Sequence, residues 1–250
     1  MQSWPPMPQQ DDHVPELSTS EIRTVKRALK RPVGRYTYER ASQLAGVPSR
    51  TLHHWAREGT FVPDFGDERP KQWSYRDLML VRLFVWLRSK GLEPTAAGEE
   101  VRYVRGELGE SLDPEAPLRS SVGELHVGDE GVDRVRGWSP LPGMLGFLDA
   151  FDMVEVAWNV SQRVPSDLRE VRGPNLIRPT EWISISPWVY SGEPCIRSTR
   201  LPTTKVWALH HEQGLTDRAI ARLYPGVEPP QVRDAVDFED AIRARRPLAA

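Results

Sequence analysis

The chain has 250 residues, 39% hydrophobic and 27% charged, with a formal net charge of -2, so it is long enough for one large domain or two to three small ones around a buried core. No apolar run approaches the ~18 residues of a membrane span, and the start MQSWPPMPQQDD lacks a basic stretch followed by an apolar one. The lone cysteine, Cys195, excludes an internal disulfide framework and a multi-thiolate zinc site, which agrees with a reducing, cytoplasmic setting and no membrane association.

Net charge averages over segments that can do different jobs. From Glu21 to Gly59 the basic residues are Arg23, Lys26, Arg27, Lys30, Arg31, Arg35, Arg40, Arg50 and Arg57, against Glu21, Glu39 and Glu58. The front of the chain is basic, and the compensating acid lies mostly beyond residue 92.

Residues 1–17 are rich in proline, glutamine and aspartate and carry no period, which predicts a disordered tail. Ser18 and Glu21 form a capping-box pattern before EIRTVKRALKR, where Ile22, Val25 and Leu29 fall at helical spacing. This basic helix has two readings, a solvated helix packed on its neighbour or a phosphate contact. YTYERASQLAGVPSRTLHHWAREG then holds two short helical stretches separated by Gly46-Val47-Pro48, with Tyr38, Ala41, Leu44 and Ala45 on one face of the first and Leu52, Trp55 and Ala56 on one face of the second. FVPDFGDERPKQWSY reads as a turn-rich loop between short strands. SYRDLMLVRLFVWLRSKGL is a strongly apolar helix ending at Gly91, and TAAGEEVRYVRGEL is one more helix.

The stretch 107–175 is a middle linker or dimerisation region of mixed α/β character: LHVGDEGVDRVRGW has a hairpin pattern, and MLGFLDAFDMVEVAW is apolar without a single period. From residue 176, EWISISPWVYSGEPCIRSTRLPTT predicts short strands and tight turns. TTKVWALHHEQG, TDRAIARLYPG and PPQVRDAVDFEDAIRAR predict three helices, each starting at Thr or Pro.

On a wheel of about 100° per residue, the apolar face of residues 49–58 leaves Arg50, His53, His54, Arg57 and Glu58 projecting to the other side. Adjacent histidines diverge on a helix, so they lack the i, i+4 alignment of a metal pair. An exposed cationic face also lacks the cleft and carboxylate of a catalytic pair. The face suits a nucleic acid: a groove admits one helix, Arg offers paired donors to phosphate or guanine, and imidazole donates to phosphate or base acceptors. Arg50, His53, His54 and Arg57, with Arg69 and Lys71 on the loop, are the candidate DNA contacts. His210-His211 fails the metal test in the same way, Cys195 reads as a buried small hydrophobe, and no Gly-rich phosphate loop, Ser/His/Asp arrangement or close carboxylate set stands out. No enzyme, metal site or cofactor is expected.

YTYERASQLAGVPSRTLHHWAREGTFVP followed by SYRDLMLVRLFVWLRSKGL resembles the winged helix-turn-helix of the MerR family over roughly residues 36–92. The resemblance implies a recognition helix starting at Ser49, with Ser49, Arg50, Thr51 and Arg57 among its DNA contacts, Arg40 on the helix before it as a further contact, and a wing carrying Arg69 and Lys71. His53 and His54 stand where that family often has arginine and tyrosine. RPTEWISISPWVYSGEPCIRSTRLPTTKVWALHHEQGLTDRAIARLYPGVEPPQVRDAVDFEDAI is similar to the VapB-type antitoxin module paired with PIN-like (VapC-type) ribonuclease toxins. The shared pattern is Pro187, Gly192, Pro194, Ile196, Thr199, Arg200, Gly214, Ala221, Tyr224, Pro225, Val232 and Ala235, with Ser198 where that family has glycine.

Without the resemblance, the last two helices could form a second helix-turn-helix, but Asp234, Asp237, Glu239 and Asp240 would repel phosphate, which favours protein contact. Arg197 and Arg200 either reach an acidic partner or brace the local fold. The expected architecture is mainly α with small β elements: a tail (1–17), a winged helix-turn-helix with flanking helices (18–106), the middle region (107–175) and a small helical, helix-turn-helix-like module (176–250). The expected function is an antitoxin that binds a PIN-like ribonuclease and, as a homodimer on double-stranded promoter DNA, represses its own gene pair. The alternative is a stand-alone MerR-like regulator that senses a small effector through residues 107–250.

Overall fold

The computed structural model describes residues 24, 27–89, 93–110, 124–128, 131–135 and 173–244. The expected tail, the Ser18–Glu21 capping box, the Gly91 helix end and most of the middle region lie outside the described residues. The architecture is mainly helical with small β elements. Among the described residues no helix is long and apolar enough to cross a membrane.

Residues 27–30 are helical. Helix α1 (Tyr38–Ala45) is started by the Thr37 side chain, which accepts from the Arg40 amide, and stopped by Gly46, whose φ of 79° turns the chain where a Cβ would be strained. Helix α2 (Ser49–Glu58) follows at once and buries Leu52, Trp55 and Ala56, the three residues that its spacing assigns to the core, with about 1.5–3 kcal/mol for a fully buried large apolar side chain. The loop from Gly59 to Trp73 returns through two isolated bridges, Phe65 to Gln72 and Tyr36 to Trp73. Helix α3 (Tyr75–Ser89) is buried from Tyr75 to Val85 and packs on α1 and on α4 (Pro94–Glu110). Strands β1 (Glu124–Gly128) and β2 (Gly131–Val135) form the antiparallel hairpin that the glycine-flanked turn pattern predicts.

The C-terminal part opens with a two-residue antiparallel pairing of β3 (Ile183–Ser184) and β4 (Cys195–Ile196). Helices α5 (Thr203–His211), α6 (Asp217–Leu223) and α7 (Pro229–Ala244) follow in the predicted order. Thr216 caps α6 by accepting from the Ala219 amide, and α7 starts on Pro229. Ser198, in the turn after β4, has a φ of 62°, the left-handed conformation that glycine adopts freely.

The two ends of the chain share one core. Ala41, Leu44, Leu52 and Trp55 belong to the same buried cluster as Ile183, Ile196, Val206, Val232 and Ile242. Polar groups cross the same boundary. The Tyr36 hydroxyl donates to the Gly192 carbonyl at 2.7 Å and the Tyr75 hydroxyl to the Leu176 carbonyl at 2.9 Å. Arg82, inside α3, donates to the Leu44 carbonyl at the end of α1 and to the Pro174 carbonyl, so one guanidinium closes a helix C-terminus and seats the incoming chain.

The deepest of these links corrects an expectation. Arg40 is not a DNA contact on an exposed face: it is 7% exposed, and its guanidinium bonds Glu239 Oε1 at 2.8 Å, Glu239 Oε2 at 3.2 Å and Glu193 Oε2 at 2.9 Å. Glu239 is fully buried and also accepts from Thr203 and Arg243. Of the acids of α7 Glu239 alone is buried; Asp234 is half-buried, and Asp237 and Asp240 are exposed. Asp234 receives the Thr180 hydroxyl and the Trp182 amide, and Asp240 the Trp207 indole.

Removing one member of a buried, hydrogen-bonded ion pair strands its partner. Arg40→Met is expected to lower the unfolding free energy by about 3–5 kcal/mol in denaturant titrations. Combining it with Glu239→Gln should cost less than the sum of the two single changes, with a coupling of about 1–3 kcal/mol. Simple additivity would show that the pair does not act as a unit.

Candidate nucleic-acid interface

Helix α2 presents a polar face because its apolar residues repeat at i, i+3 and i+4 and turn inward together. Arg50, His53, His54, Arg57 and Glu58 are exposed on the other side, and Ser49 and Thr51 are half-buried in the first turn. The face carries some internal pairing. Arg57 Nε donates to Glu58 Oε1 at 2.9 Å, and His54 Nδ1 lies 4.0 Å from the same oxygen. Exposed pairs of this kind contribute about 0–1 kcal/mol, so they yield readily to a stronger anion such as phosphate. His53 differs from its neighbour: its ring stacks on Tyr38 of α1 with centroids 3.5 Å apart and planes 10° apart. One face of that imidazole is covered, which leaves its edge for contacts outward.

The loop after α2 carries Arg69 and Lys71, both exposed. It is anchored by a charge cluster that periodicity does not reveal. Ser74 and Asp77 form a reciprocal cap at the start of α3, the Ser74 amide donating to Asp77 Oδ2 at 2.8 Å and the Asp77 amide to Ser74 Oγ at 3.0 Å. The Asp64 amide, on the loop, also donates to Asp77 Oδ2, at 2.9 Å. Arg76 grips the Asp64 carboxylate with two donors, at 2.6 and 3.1 Å, and Arg105 of α4 bridges Asp64 at 3.0 Å and Asp77 at 2.7 Å. Two aspartates and two arginines thus fasten the base of the cationic loop to α3 and α4. At the far side Arg35 pairs with Glu68, bonds Gln72 at 3.2 Å and lies 4.3 Å over the Phe65 ring.

Arg50, His53, His54 and Arg57 therefore share one helix face, Arg69 and Lys71 lie on the loop that follows it, and Arg40 turns inward. Arg197 and Arg200 sit elsewhere, around the turn that follows β4. Both are exposed, Arg197 donating to the Glu181 carbonyl at 2.8 Å. The second histidine pair splits between two carboxylates, His210 lying 3.6 Å from Asp217 and His211 3.2 Å from Asp240. No group of three or more His, Cys, Asp or Glu able to hold a metal occurs among the described residues. Cys195 is buried, its thiol facing the Glu193 carbonyl at 3.3 Å, and burial pushes it up to about 11, far from an activated thiolate.

The anchor has a pH signature. Burial pushes Asp77 up to about 6, helped by the nearby Asp64 charge and opposed by Arg105 and the two amides. Burial also acts upward on Asp64, but its bonds to Arg76 and Ser74 and the charges of Arg105 and Arg76 outweigh it and hold Asp64 below its ordinary value. A raised carboxyl binds its proton more tightly in the folded state, so its contribution to stability is present at low pH and is lost as pH rises through about 6. Asp64 acts oppositely and at lower pH. The unfolding free energy of the wild type, measured against that of Asp77→Asn, is expected to rise by about 1 kcal/mol from pH 7 to pH 5. A pH-independent difference would show that Asp77 stays ionised throughout.

Compared with known proteins, residues 183–238, which run from β3 into α7, match a family described as a protein of unknown function (DUF433). No curated protein and no solved structure matches the chain.

Proposed function

We propose that the protein is a DNA-binding antitoxin and transcriptional autoregulator. In this reading α1, the Gly46-Val47-Pro48 turn and α2 serve as a MerR-like helix-turn-helix, with α2 in the major groove and the Gly59–Trp73 loop as the wing on the backbone. The observation that carries it is the face of α2. Arg50, His53, His54 and Arg57 stand exposed on the side opposite buried Leu52, Trp55 and Ala56, and the following loop adds Arg69 and Lys71. Phosphate contacts from the loop fix position, and base contacts from α2 supply selectivity. As a homodimer it would read paired half-sites of its own promoter.

The second half of the proposal concerns residues 176–250 as a VapB-type module that captures a PIN-like ribonuclease toxin. Arg197 and Arg200 are exposed, and neither pairs with a carboxylate among the described residues. Trp182, whose carbonyl accepts the Arg197 amide at 2.8 Å, is itself 36% exposed. Arginine beside a partly exposed tryptophan is the composition of an interface anchor, and the metal-dependent acidic centre of such a nuclease is its natural complement. The protein acts by binding, without a cofactor, in the cytoplasm.

Two measurements test the halves separately. Arg50→Ala and Arg57→Ala should each weaken promoter binding by about 1–3 kcal/mol where the arginine grips a base, with a flatter salt dependence; unchanged binding by the double variant would move the DNA site off α2. Co-expression with a ribonuclease encoded by the neighbouring gene should relieve growth arrest and yield a co-purifying complex, weakened by Arg197→Ala with Arg200→Ala. Persistent arrest with no complex would leave a stand-alone regulator.

A further inference from the structure

Arg27 and Arg31, from the basic stretch at the front of the chain, both stack on Trp188 of the C-terminal part, their guanidinium carbons 4.4 and 5.1 Å from the ring centroid. Both arginines are exposed, and neither pairs with a carboxylate among the described residues. Gathering two like charges on one indole costs free energy. An anion at the same place would offset that cost.

The segment that presents the indole is held firmly from beneath. The Arg35 amide donates to the Ser191 carbonyl at 3.0 Å and the Tyr36 hydroxyl to the Gly192 carbonyl at 2.7 Å. Gly192 has a φ of 91°, and a Cβ there would sit 2.1 Å from the Tyr36 hydroxyl oxygen, so the backbone lies directly on that side chain. Next to it Tyr190 and Ser191 adopt φ values of 45° and 56°, left-handed conformations that are strained in non-glycine residues. They leave Tyr190 58% and Trp188 37% exposed. Strain is thus retained in a segment whose aromatic rings are partly exposed beside two exposed cations.

This patch adjoins the cationic loop. Arg35, whose amide holds Ser191, packs its side chain on Phe65 and bonds Gln72, and Phe65 and Gln72 bridge at the base of the loop that carries Arg69 and Lys71. Glu68, paired with Arg35, lies on that loop next to the exposed Asp67.

We propose that Arg27, Arg31 and Trp188 form a second phosphate-contact site, which grips the backbone of duplex DNA beside the stretch engaged by α2 and its loop. The ring lies against both guanidinium groups, whose N–H donors suit phosphate oxygens. Continuity with Arg69 and Lys71 favours a duplex over a single strand or an acidic protein. The inference rests on the DNA-binding reading and extends it, because the C-terminal part then contributes to the DNA surface directly.

Anisotropy titrations of a fluorescein-labelled duplex from the protein's own promoter, over a range of salt concentrations, test it. Arg27→Gln with Arg31→Gln should reduce the slope of log K against log salt by about 1 to 2 and leave the preference for promoter over random duplex unchanged. Trp188→Ala removes no charge yet should cause part of the same loss, and Trp188→Phe should restore it. If the wild type binds, Arg50→Ala with Arg57→Ala weakens it, and the Arg27/Arg31 variant keeps the full slope, this inference is overturned and the DNA reading stands. No binding by the wild type overturns both. A Gln variant that keeps the duplex slope but loses a single-stranded RNA or the ribonuclease assigns the patch to that partner instead.

Discussion

The rest of the structure depends on one buried set of charges, Arg40 held between Glu193 and Glu239, with Thr203 donating to Glu239 as well. Charges removed from water are tolerated only when each finds a partner of good geometry. Here the partners come from three places: α1, the loop before β4, and the facing helices α5 and α7. Once Arg40 is in place α1 has a fixed seat on α7, and Arg82 locks the C-terminal end of the same helix to the chain that enters from Gly173. Burial also pushes Glu193 upward, against the pull of Arg40, so the set carries a desolvation cost that its hydrogen bonds and the surrounding apolar core offset.

This arrangement bears on function because α2 takes its position from α1. The two helices meet through a three-residue turn, the core residues Leu44 and Leu52, and the Tyr38–His53 stack. Whatever stabilises or strains α7 therefore acts on the seat of the helix with the cationic face. A partner bound near Arg197 would act on the same connected core, through β4 and α5. Under the proposed function, coupling between DNA and partner binding would need no separate signalling device.

Much of the fold is legible in the residues themselves. Gly46 after Ala45, the inward triplet Leu52, Trp55 and Ala56, and Thr216 and Pro229 at helix starts each state a local requirement that the chain meets locally. What local pattern does not reveal is pairing at a distance. Arg40 reads as one more cation in a basic stretch, and its burial is decided by Glu239, 199 positions away. The Asp64–Asp77–Arg76–Arg105 anchor is half legible, since Ser74-x-x-Asp77 is a capping pattern, but Arg105 joins it from a separate helix. Trp188 beside Arg27 and Arg31 likewise follows only from the packing of the two ends of the chain.

The cationic face of α2 and the C-terminal helices are expected to behave as one cooperative unit, closed by the Arg40 set. Native-state hydrogen exchange reads this most directly, because it reports opening free energies element by element. The most protected amides of α1 and α7 should open with one free energy and one denaturant dependence, and Arg40→Met should lower both together. Distinct opening energies in the wild type, or a variant that loosens α1 and leaves α7 unchanged, would contradict the account.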